Sequence, residues 1–414
     1  MTKYMLYLEP YTFLKRDEEK VLIVNTLSGK CFVVNAFVEL NQLVDRIQTN
    51  EKSYSVQLDA SEIENSQYSE FISIVRSTYS GDVVKLEGQS LPPVILPPRV
   101  NNRLDIAKLS NNKDRSIGDE AKDYIQEVTV VLTNKCSFDC TDCSKHYRQF
   151  AACTKAFGDL MELSLGQVKK FFKQFNPQRH PAVAIIGGDI TQYSELTDAL
   201  LYFASINAKK SLLLHANHIQ RFVNSVGNNM PSSISLKVNI PPDCTEPFFL
   251  EFVPRLIAQY EVMLQFIVES EKDFLKANAL ANKLELENVS FKPFFNGHNF
   301  EFFTNQVFLS HDDIICERYS KNDIFLRQSI NSYDFGKITI IPNGEIVANP
   351  NFGSIGDVST SIGDLYANEV ENGKSWFRTR TEQPCNNCVY QWLCPSPSNY
   401  ELAIGKPNLC HIFE

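Results

Sequence analysis

From residue 124 the hydrophobic pattern changes rhythm again and again. Short, mostly apolar runs occur at Val128–Leu132, Ala182–Ile186, Ser211–His215, Ile234–Ile240, Val262–Val268 and Val289–Phe295. Each is short enough to be a buried strand. Between them lie stretches with helical spacing. Ser164 can cap one through Phe175, with Val168, Phe171, Phe172 and Phe175 turned inward. Leu196–Phe203, Phe248–Gln259 and Lys272–Leu284 read the same way. Strands that alternate with helices predict parallel pairing and right-handed crossovers. About six such units are expected, fewer than the eight of a closed barrel, so an α/β barrel or an open sheet is predicted.

The flanking sections have other rhythms. Met5–Leu8, Val21–Asn25 and Cys31–Val34 read as strands, with a turn at Leu27-Ser28-Gly29-Lys30. Phe37–Ile47 and Glu62–Tyr79 read as helices, and Asp82–Glu87 as a further strand. These strands and helices suggest a compact winged-helix-like module over residues 1–90, or else a cap that completes the barrel. Residues 91–123 are expected to be a linker, because the run Leu91-Pro92-Pro93-Val94-Ile95-Leu96-Pro97-Pro98 cannot continue a helix. The alternating section is placed at 124–310 and a last section at 311–414, where Asn343-Gly344 predicts a type I′ hairpin turn.

Composition narrows the function classes. Hydrophobic residues make up 43% and charged residues 21% of 414 residues, as in a soluble globular protein of more than one domain. The net charge of −9 argues against a general nucleic-acid partner or an anionic membrane surface. The chain has neither a run long enough to span a membrane nor a signal-peptide pattern at its start, so a cytoplasmic protein is expected.

The chemistry lies in the cysteines. Seven of the eleven fall in two groups: Cys136, Cys140 and Cys143 after the first strand, and Cys385, Cys388, Cys394 and Cys410 near the end. Grouped cysteines in a long chain without a signal point to metal in a reducing compartment. The scattered Cys31, Cys153, Cys244 and Cys316 read as plain buried residues. Three thiolates on one tight loop are one ligand short of the usual four of a [4Fe–4S] cluster. They could also bind zinc with a fourth ligand such as His146, and the last four could form a four-cysteine zinc site. The run Gly187-Gly188-Asp189 ends the second strand of the alternating section. Like the first three cysteines, it sits where catalytic residues of parallel α/β folds collect.

On these residues, the chain resembles the radical SAM superfamily and its SPASM-domain peptide-modifying branch, from about residue 124 to the end. The resemblance rests on C-x3-C-x2-C after the first strand and on Gly187-Gly188-Asp189, where the family usually has Gly-Gly-Glu. It implies a partial (β/α)6 TIM-like barrel with a SPASM-type iron–sulfur domain behind it. It also implies that Cys136, Cys140 and Cys143 hold a [4Fe–4S] cluster whose open iron chelates S-adenosylmethionine. Gly187, Gly188 and Asp189 would then face the methionine group. Asp142, Asn217 and Asn239 fall at the remaining cofactor positions: Asp142 where an aromatic residue is usual, Asn217 before His218 rather than glycine, and Asn239 on the fourth strand.

The SPASM pattern is C-x9–15-G-x4-C, then C-x2-C-x5-C-x3-C, then a last cysteine. Cys385, Cys388, Cys394 and Cys410 keep the positions of the second auxiliary cluster, whereas Asn349 and Ser398 stand at positions of the first. One auxiliary [4Fe–4S] cluster is therefore implied, with zinc as its rival. The N-terminal module resembles the peptide-recognition element of such maturases, in which a leader peptide adds a strand at a sheet edge, here near Cys31–Val34. The implied function is an oxidoreductase that cleaves S-adenosylmethionine to a 5′-deoxyadenosyl radical and cross-links or otherwise oxidises a ribosomally made peptide (RiPP). Its implied partners are a leader-bearing precursor peptide and an electron donor such as a flavodoxin or ferredoxin. The alternatives are a catalytically silent relative that binds leader peptide and a partner maturase, and a zinc-bound scaffold. The sequence assigns no catalytic acid or base.

Overall fold

The structure, a computed structural model, describes residues 2–49, 54–64, 66–86, 122–138, 140, 142–152, 159–226, 229–244 and 246–413. The expected linker lies outside these residues except for its last two positions, as does Cys153.

The N-terminal section holds strands β1 (Lys3–Leu8), β2 (Thr12–Arg16), β3 (Lys20–Asn25) and β4 (Lys30–Asn35), helix α1 (Val38–Thr49), β5 (Ser55–Asp59), helices α2 (Ala60–Ile63) and α3 (Ser66–Ser77), and β6 (Gly81–Leu86). They form two antiparallel three-stranded sheets, ordered β5-β1-β6 and β2-β3-β4. This is more sheet than the sequence reading expected. Thr12–Arg16 and Ser55–Asp59 are short and carry few large apolar residues, so they gave no strand signal. The two sheets share a core in which Leu6, Leu14, Val21 and Ile23 meet Leu40, Leu43, Val44 and Ile47 of α1 and Phe71 and Val75 of α3. Strand β4 forms one edge of its sheet. The turn before β4 uses Gly29 at φ +71, where its amide donates to the Asn25 carbonyl at 2.8 Å.

The middle section alternates as predicted. It contains β7 (Glu127–Val131), α4 (Cys143–Phe150), α5 (Leu165–Phe172), β8 (Ala182–Ile186), α6 (Leu196–Ser205), β9 (Lys210–His215), α7 (Ile219–Ser225), β10 (Ser235–Ile240), α8 (Glu246–Gln259), β11 (Val262–Val268), α9 (Glu271–Lys283) and β12 (Val289–Pro293). Ser164 caps α5 with a reciprocal bond to Gln167. The last section follows with α10 (Phe300–Gln306), α11 (His311–Ile315), α12 (Lys321–Ser329), β13 (Lys337–Ile340), β14 (Glu345–Val347), β15 (Ser354–Asp357), α13 (Ile362–Asn372) and α14 (Asn399–Ile404).

The middle and last sections share one nine-stranded sheet, ordered β12-β11-β10-β9-β8-β7-β13-β14-β15. The strands from β12 to β7 are parallel, and β13 adds parallel to β7, with Thr339 opposite Thr129. The boundary expected at residue 310 therefore falls inside one continuous sheet. Alternate side chains divide the faces. Val128, Val130, Ile185, Leu212, Val238 and Leu264 belong to a core with Phe171 and Phe172 of α5, Phe203 of α6 and Phe222 of α7. On the other face, Thr129, Ala184, Leu213, Asn239, Gln265 and Thr339 line one cavity of about 580 Å³, with further residues of the last section also lining it.

The hairpin at Asn343-Gly344 is not type I′. Only Gly344 has a positive φ (+88), and the Gly344 amide bonds the Ile341 carbonyl at 2.9 Å. Pro342 has a fixed negative φ that suits a type I turn, so Pro342-Asn343-Gly344 make a three-residue loop that ends in a left-handed glycine.

The N-terminal section is seated on the last one. Phe13, Leu22 and Val24 bury against Ile314, Tyr319, Ile324, Tyr390 and Leu393. Lys15 Nζ donates to Gln391 Oε1 at 2.5 Å and lies 4.9 Å from the Trp392 ring centroid. Burying each of these aromatic or leucine side chains contributes about 1.5–3 kcal/mol.

Candidate functional site: two thiol groups and two cavities

The first group follows β7, and its loop is fastened on both sides. Buried Asn134 donates to the Asp159 carbonyl at 2.7 Å and accepts from the Met161 amide at 2.7 Å. The Gly188 amide donates to Thr133 O at 2.8 Å, and the Asp189 amide to Lys135 O at 2.7 Å. A Cβ on Gly188 would lie 2.4 Å from Lys135 O, and one on Gly187 3.0 Å from Ile190 Cδ1. Gly188 is therefore required by the approach of the cysteine loop to the end of β8, while a side chain on Gly187 would press on Ile190. Sequence reading had given these glycines a ligand to approach; here the approaching partner is backbone.

Along that loop Cys136 is half-buried, Cys140 is exposed and Cys143 is buried at the start of α4. Cys136 Sγ lies 3.5 Å from His218 Nε2. The His218 ring is tilted against Phe138, and Arg221 stands 5.7 Å over the Phe138 ring while bonding Ser137 Oγ. His218 and Arg221, which carried no family signal, therefore belong to this site. His146, the zinc ligand considered from sequence, instead stacks on Phe294 at 3.8 Å and 7°. The imidazole that touches a loop cysteine is that of His218.

Asp189 is fully buried. Its Oδ1 accepts from the Thr191 amide and hydroxyl, and its Oδ2 from Gln192 Nε2 at 3.1 Å and Arg221 Nη1 at 2.9 Å. Burial would raise its pKa, but the Thr191 bond, nearby His218, Arg221 and Gln192 outweigh it and hold the carboxyl below its ordinary range. Asp142 precedes α4 and pairs with Lys145 at 2.9 Å. Asn217 is exposed, and its amide bonds His215 Nδ1 at 3.3 Å. Asn239 is buried on β10 and faces the cavity.

The imidazoles around the loop favour the neutral form. Burial brings His215 down to about 4, with His218 and His146 adding to the effect and Asp243 opposing it. Burial likewise brings His146 down to about 4, against Asp142. Burial also lowers the pKa of His218, although Asp189 opposes it.

The second group is enclosed. Cys385, Cys388, Cys394 and Cys410 are all buried and line one small cavity with Leu309, Arg380, Gln391 and Leu409. Several donors address the sulfurs: the Tyr390 amide to Cys388 at 3.4 Å, Asn408 Nδ2 to Cys410 at 3.4 Å and Arg380 Nη1 to Cys385 at 3.9 Å. Buried Arg380 also pairs with buried Glu401 at 2.9 Å. Burial pushes Cys388 up to about 11 and Cys394 up to about 12, so these are thiols until a metal displaces their protons. Four sulfurs on one cavity, with donors aimed at them, fit a metal or cluster as donor set and surroundings. Among the described residues, no three His, Cys, Asp or Glu side chains converge closely enough to hold a metal ion without moving. The scattered cysteines are not all buried as expected. Cys316 is exposed at the end of surface helix α11, and Cys31 and Cys244 are half-buried.

Arg380 and Glu401 also line the large cavity. Arg380, with Leu309 and Leu409, lines both spaces, so Glu401 holds one part of the wall between them. Sequence reading missed this ion pair, since neither residue belongs to a cysteine motif.

No family model matches this chain, and no curated protein does either. Among solved structures the fold is similar to Streptococcus suis SuiB bound to precursor peptide SuiA, at 12% identity over 99% of both chains with a TM-score of 0.46. It is also similar to SuiB itself (12%, 98% of both chains, TM-score 0.44) and to SuiB bound to S-adenosylmethionine (12%, 98% of both chains, TM-score 0.39).

Proposed function

We propose that this chain is a radical SAM/SPASM-type enzyme that modifies a ribosomally made peptide. One observation carries the reading. The three-thiol loop leaves the C-terminal end of the first parallel strand and is held by the glycine turn that ends the second, in a sheet whose inner face walls a 580 Å³ cavity. In this reading β7–β12 are a partial (β/α)6 barrel, and residues 1–90 are a winged-helix-like peptide-recognition module. Cys136, Cys140 and Cys143 would hold one [4Fe–4S] cluster, and Cys385, Cys388, Cys394 and Cys410 an auxiliary one. Such a cluster, reduced by an external donor, would supply the one electron that splits bound S-adenosylmethionine into methionine and the 5′-deoxyadenosyl radical that would take a substrate hydrogen.

The chain's own residues have separate tasks. Thr133, Lys135 and Gly188 fix the loop against the sheet. His218 touches Cys136 and, with Phe138, covers one side of the loop. The cavity gives a peptide segment a partly polar wall to lie against. The edge strand β4 offers backbone groups for a leader peptide to pair with. Among the described residues, no helix is long and apolar enough to cross a membrane. A cytoplasmic setting, a flavodoxin or ferredoxin donor and a partner maturase belong to the same proposal.

A second reading, a catalytically silent relative that binds peptide, is favoured by Asp189. Both its oxygens are engaged by Thr191, Gln192 and Arg221, so it cannot take an ammonium group without giving up a partner. Anaerobic reconstitution with iron and sulfide, reduction and addition of S-adenosylmethionine separates the two. Deoxyadenosine formation supports the enzyme, and iron bound without cleavage supports the silent relative.

A further inference from the structure

Four segments between residues 334 and 399 meet at one polar junction beside the large cavity, with Asp334 and Asn349 buried and Arg378 and Asn399 half-buried. Asn349 Nδ2, just beyond β14, lies 3.0 Å from both oxygens of Asp334, just before β13, and 2.8 Å from Asn399 Oδ1 at the start of α14. Arg378 pairs with Asp334 at 3.6 Å, and its guanidinium bonds the carbonyls of Pro397 and Ser398 at 3.1 and 3.2 Å. The same junction reaches toward the first thiol group. Asn351, which bonds Asn349 Oδ1, donates to the Arg148 carbonyl of α4, the helix that begins at Cys143. Tyr400 of α14 meets Phe150 of α4 edge-on.

Position gives the junction its meaning. Helix α14 carries Glu401, whose Oε2 accepts from Ser398 at 2.5 Å and whose Oε1 holds Arg380 against Cys385. Whatever fixes α14 therefore bears, through Glu401, on Arg380, a part of the wall between the large cavity and the four thiols. Asn349 and Ser398 are two of the positions where the SPASM spacing calls for cysteine. Asp334, with nine residues between it and Gly344, falls at a third. The chain brings these positions together with hydrogen bonds and a charge pair.

We infer that Asp334, Asn349, Arg378 and Asn399 form a metal-free brace that positions α14, and through it the Glu401–Arg380 part of the wall of the four-thiol site. These are positioning residues. The brace stands on geometry; only its equivalence to a lost auxiliary cluster rests on the SPASM reading. Changing one partner of such a network is costly, because the groups left behind have no water to turn to. Asn349→Asp sets two carboxylates face to face, and Asp334→Asn with Asn349→Asp restores a donor opposite an acceptor.

The test uses the full chain with Cys136, Cys140 and Cys143 replaced by alanine, so that cobalt(II) reports the four remaining thiols by its thiolate absorption. The brace predicts that Asn349→Asp weakens cobalt binding at least tenfold and lowers the melting temperature. The milder Asn349→Ala should weaken it several-fold, and the swapped pair should return it to within threefold of the parent. Unchanged cobalt affinity in both single variants, or a swapped pair no better than Asn349→Asp, would overturn the brace. A parent chain without any cobalt–thiolate band contradicts the metal reading of the four thiols. The brace is then judged by the same pattern of loss and recovery in melting temperature alone.

Discussion

Cys140 stands exposed on its loop, whereas Cys385, Cys388, Cys394 and Cys410 are all buried around a cavity walled by Arg380. The first group supplies three sulfurs, with His218 against Cys136. The second supplies four, with donors already aimed at them. Metal sites divide along the same line: structural ones are closed by protein ligands, and catalytic ones keep a position open. The proposed function divides tasks along the same line. Cys388 and Cys394 of the enclosed group pack in the core shared by the last section and the N-terminal sheet, whereas the open group leaves Cys140 exposed.

The strongest way to break this contrast is to remove one sulfur from each group. In the metal-loaded chain, Cys394→Ser should lower the melting temperature by about 10 °C or more, as expected when a buried ligand of a structural site is lost. Cys140→Ser should leave it within about 2 °C, because it alters an exposed loop residue. Anaerobic calorimetry reads both, and equal losses would break the division of tasks.

A smaller effect is expected at the loop's anchor. Gly188→Ala places a methyl group 2.4 Å from Lys135 O, so the loop must shift, at a cost of about 1–3 kcal/mol. Iron bound by the first group should fall while that of the second is kept. Iron analysis of Gly188→Ala in chains lacking one or the other cysteine group checks this.

The acid response sharpens the contrast further, since the titrating groups cluster at the open site. His146 and His215 have folded pKa values near 4, below the ordinary 6.5. Their stability contribution is therefore complete above about 6.5 and is lost as pH falls toward 4, because the unfolded chain takes up protons first. His146→Phe should flatten the decline in melting temperature across that window. The smallest effect is that of Asp189, whose folded pKa is depressed. Its contribution is present above the ordinary carboxyl value near 4 and disappears as pH falls through the folded value. Asp189→Asn should remove that last, most acidic part of the melting profile.

Much of this was legible in the sequence because it is local. Val262–Val268 and Ala182–Ile186 are strands with the bounds their apolar runs suggested. Ser164 caps its helix as serine before a helical period should. Gly187 and Gly188 follow β8 as the run suggested, and Gly188 lies against the cysteine loop. What could not be read depends on distant partners. The pairing of β13 with β7 joins Lys337 to Glu127, and no local pattern signals it. Arg221, His218 and Arg380 are ordinary residues in sequence; they matter because Asp189, Cys136 and Glu401 fold against them. The Asn343-Gly344 turn was misread because Pro342 was left out of the loop.

The most direct test of the central claim is anaerobic reconstitution of the full chain beside two variants, one with Cys136, Cys140 and Cys143 replaced by alanine and one with Cys385, Cys388, Cys394 and Cys410 replaced. Iron and 5′-deoxyadenosine are measured after reduction with S-adenosylmethionine. The account predicts about eight irons for the full chain, from two four-iron clusters, and about four for each variant. It predicts deoxyadenosine only where the first three cysteines are present. Zinc in place of iron, or deoxyadenosine formation that survives loss of Cys136, Cys140 and Cys143, would contradict it.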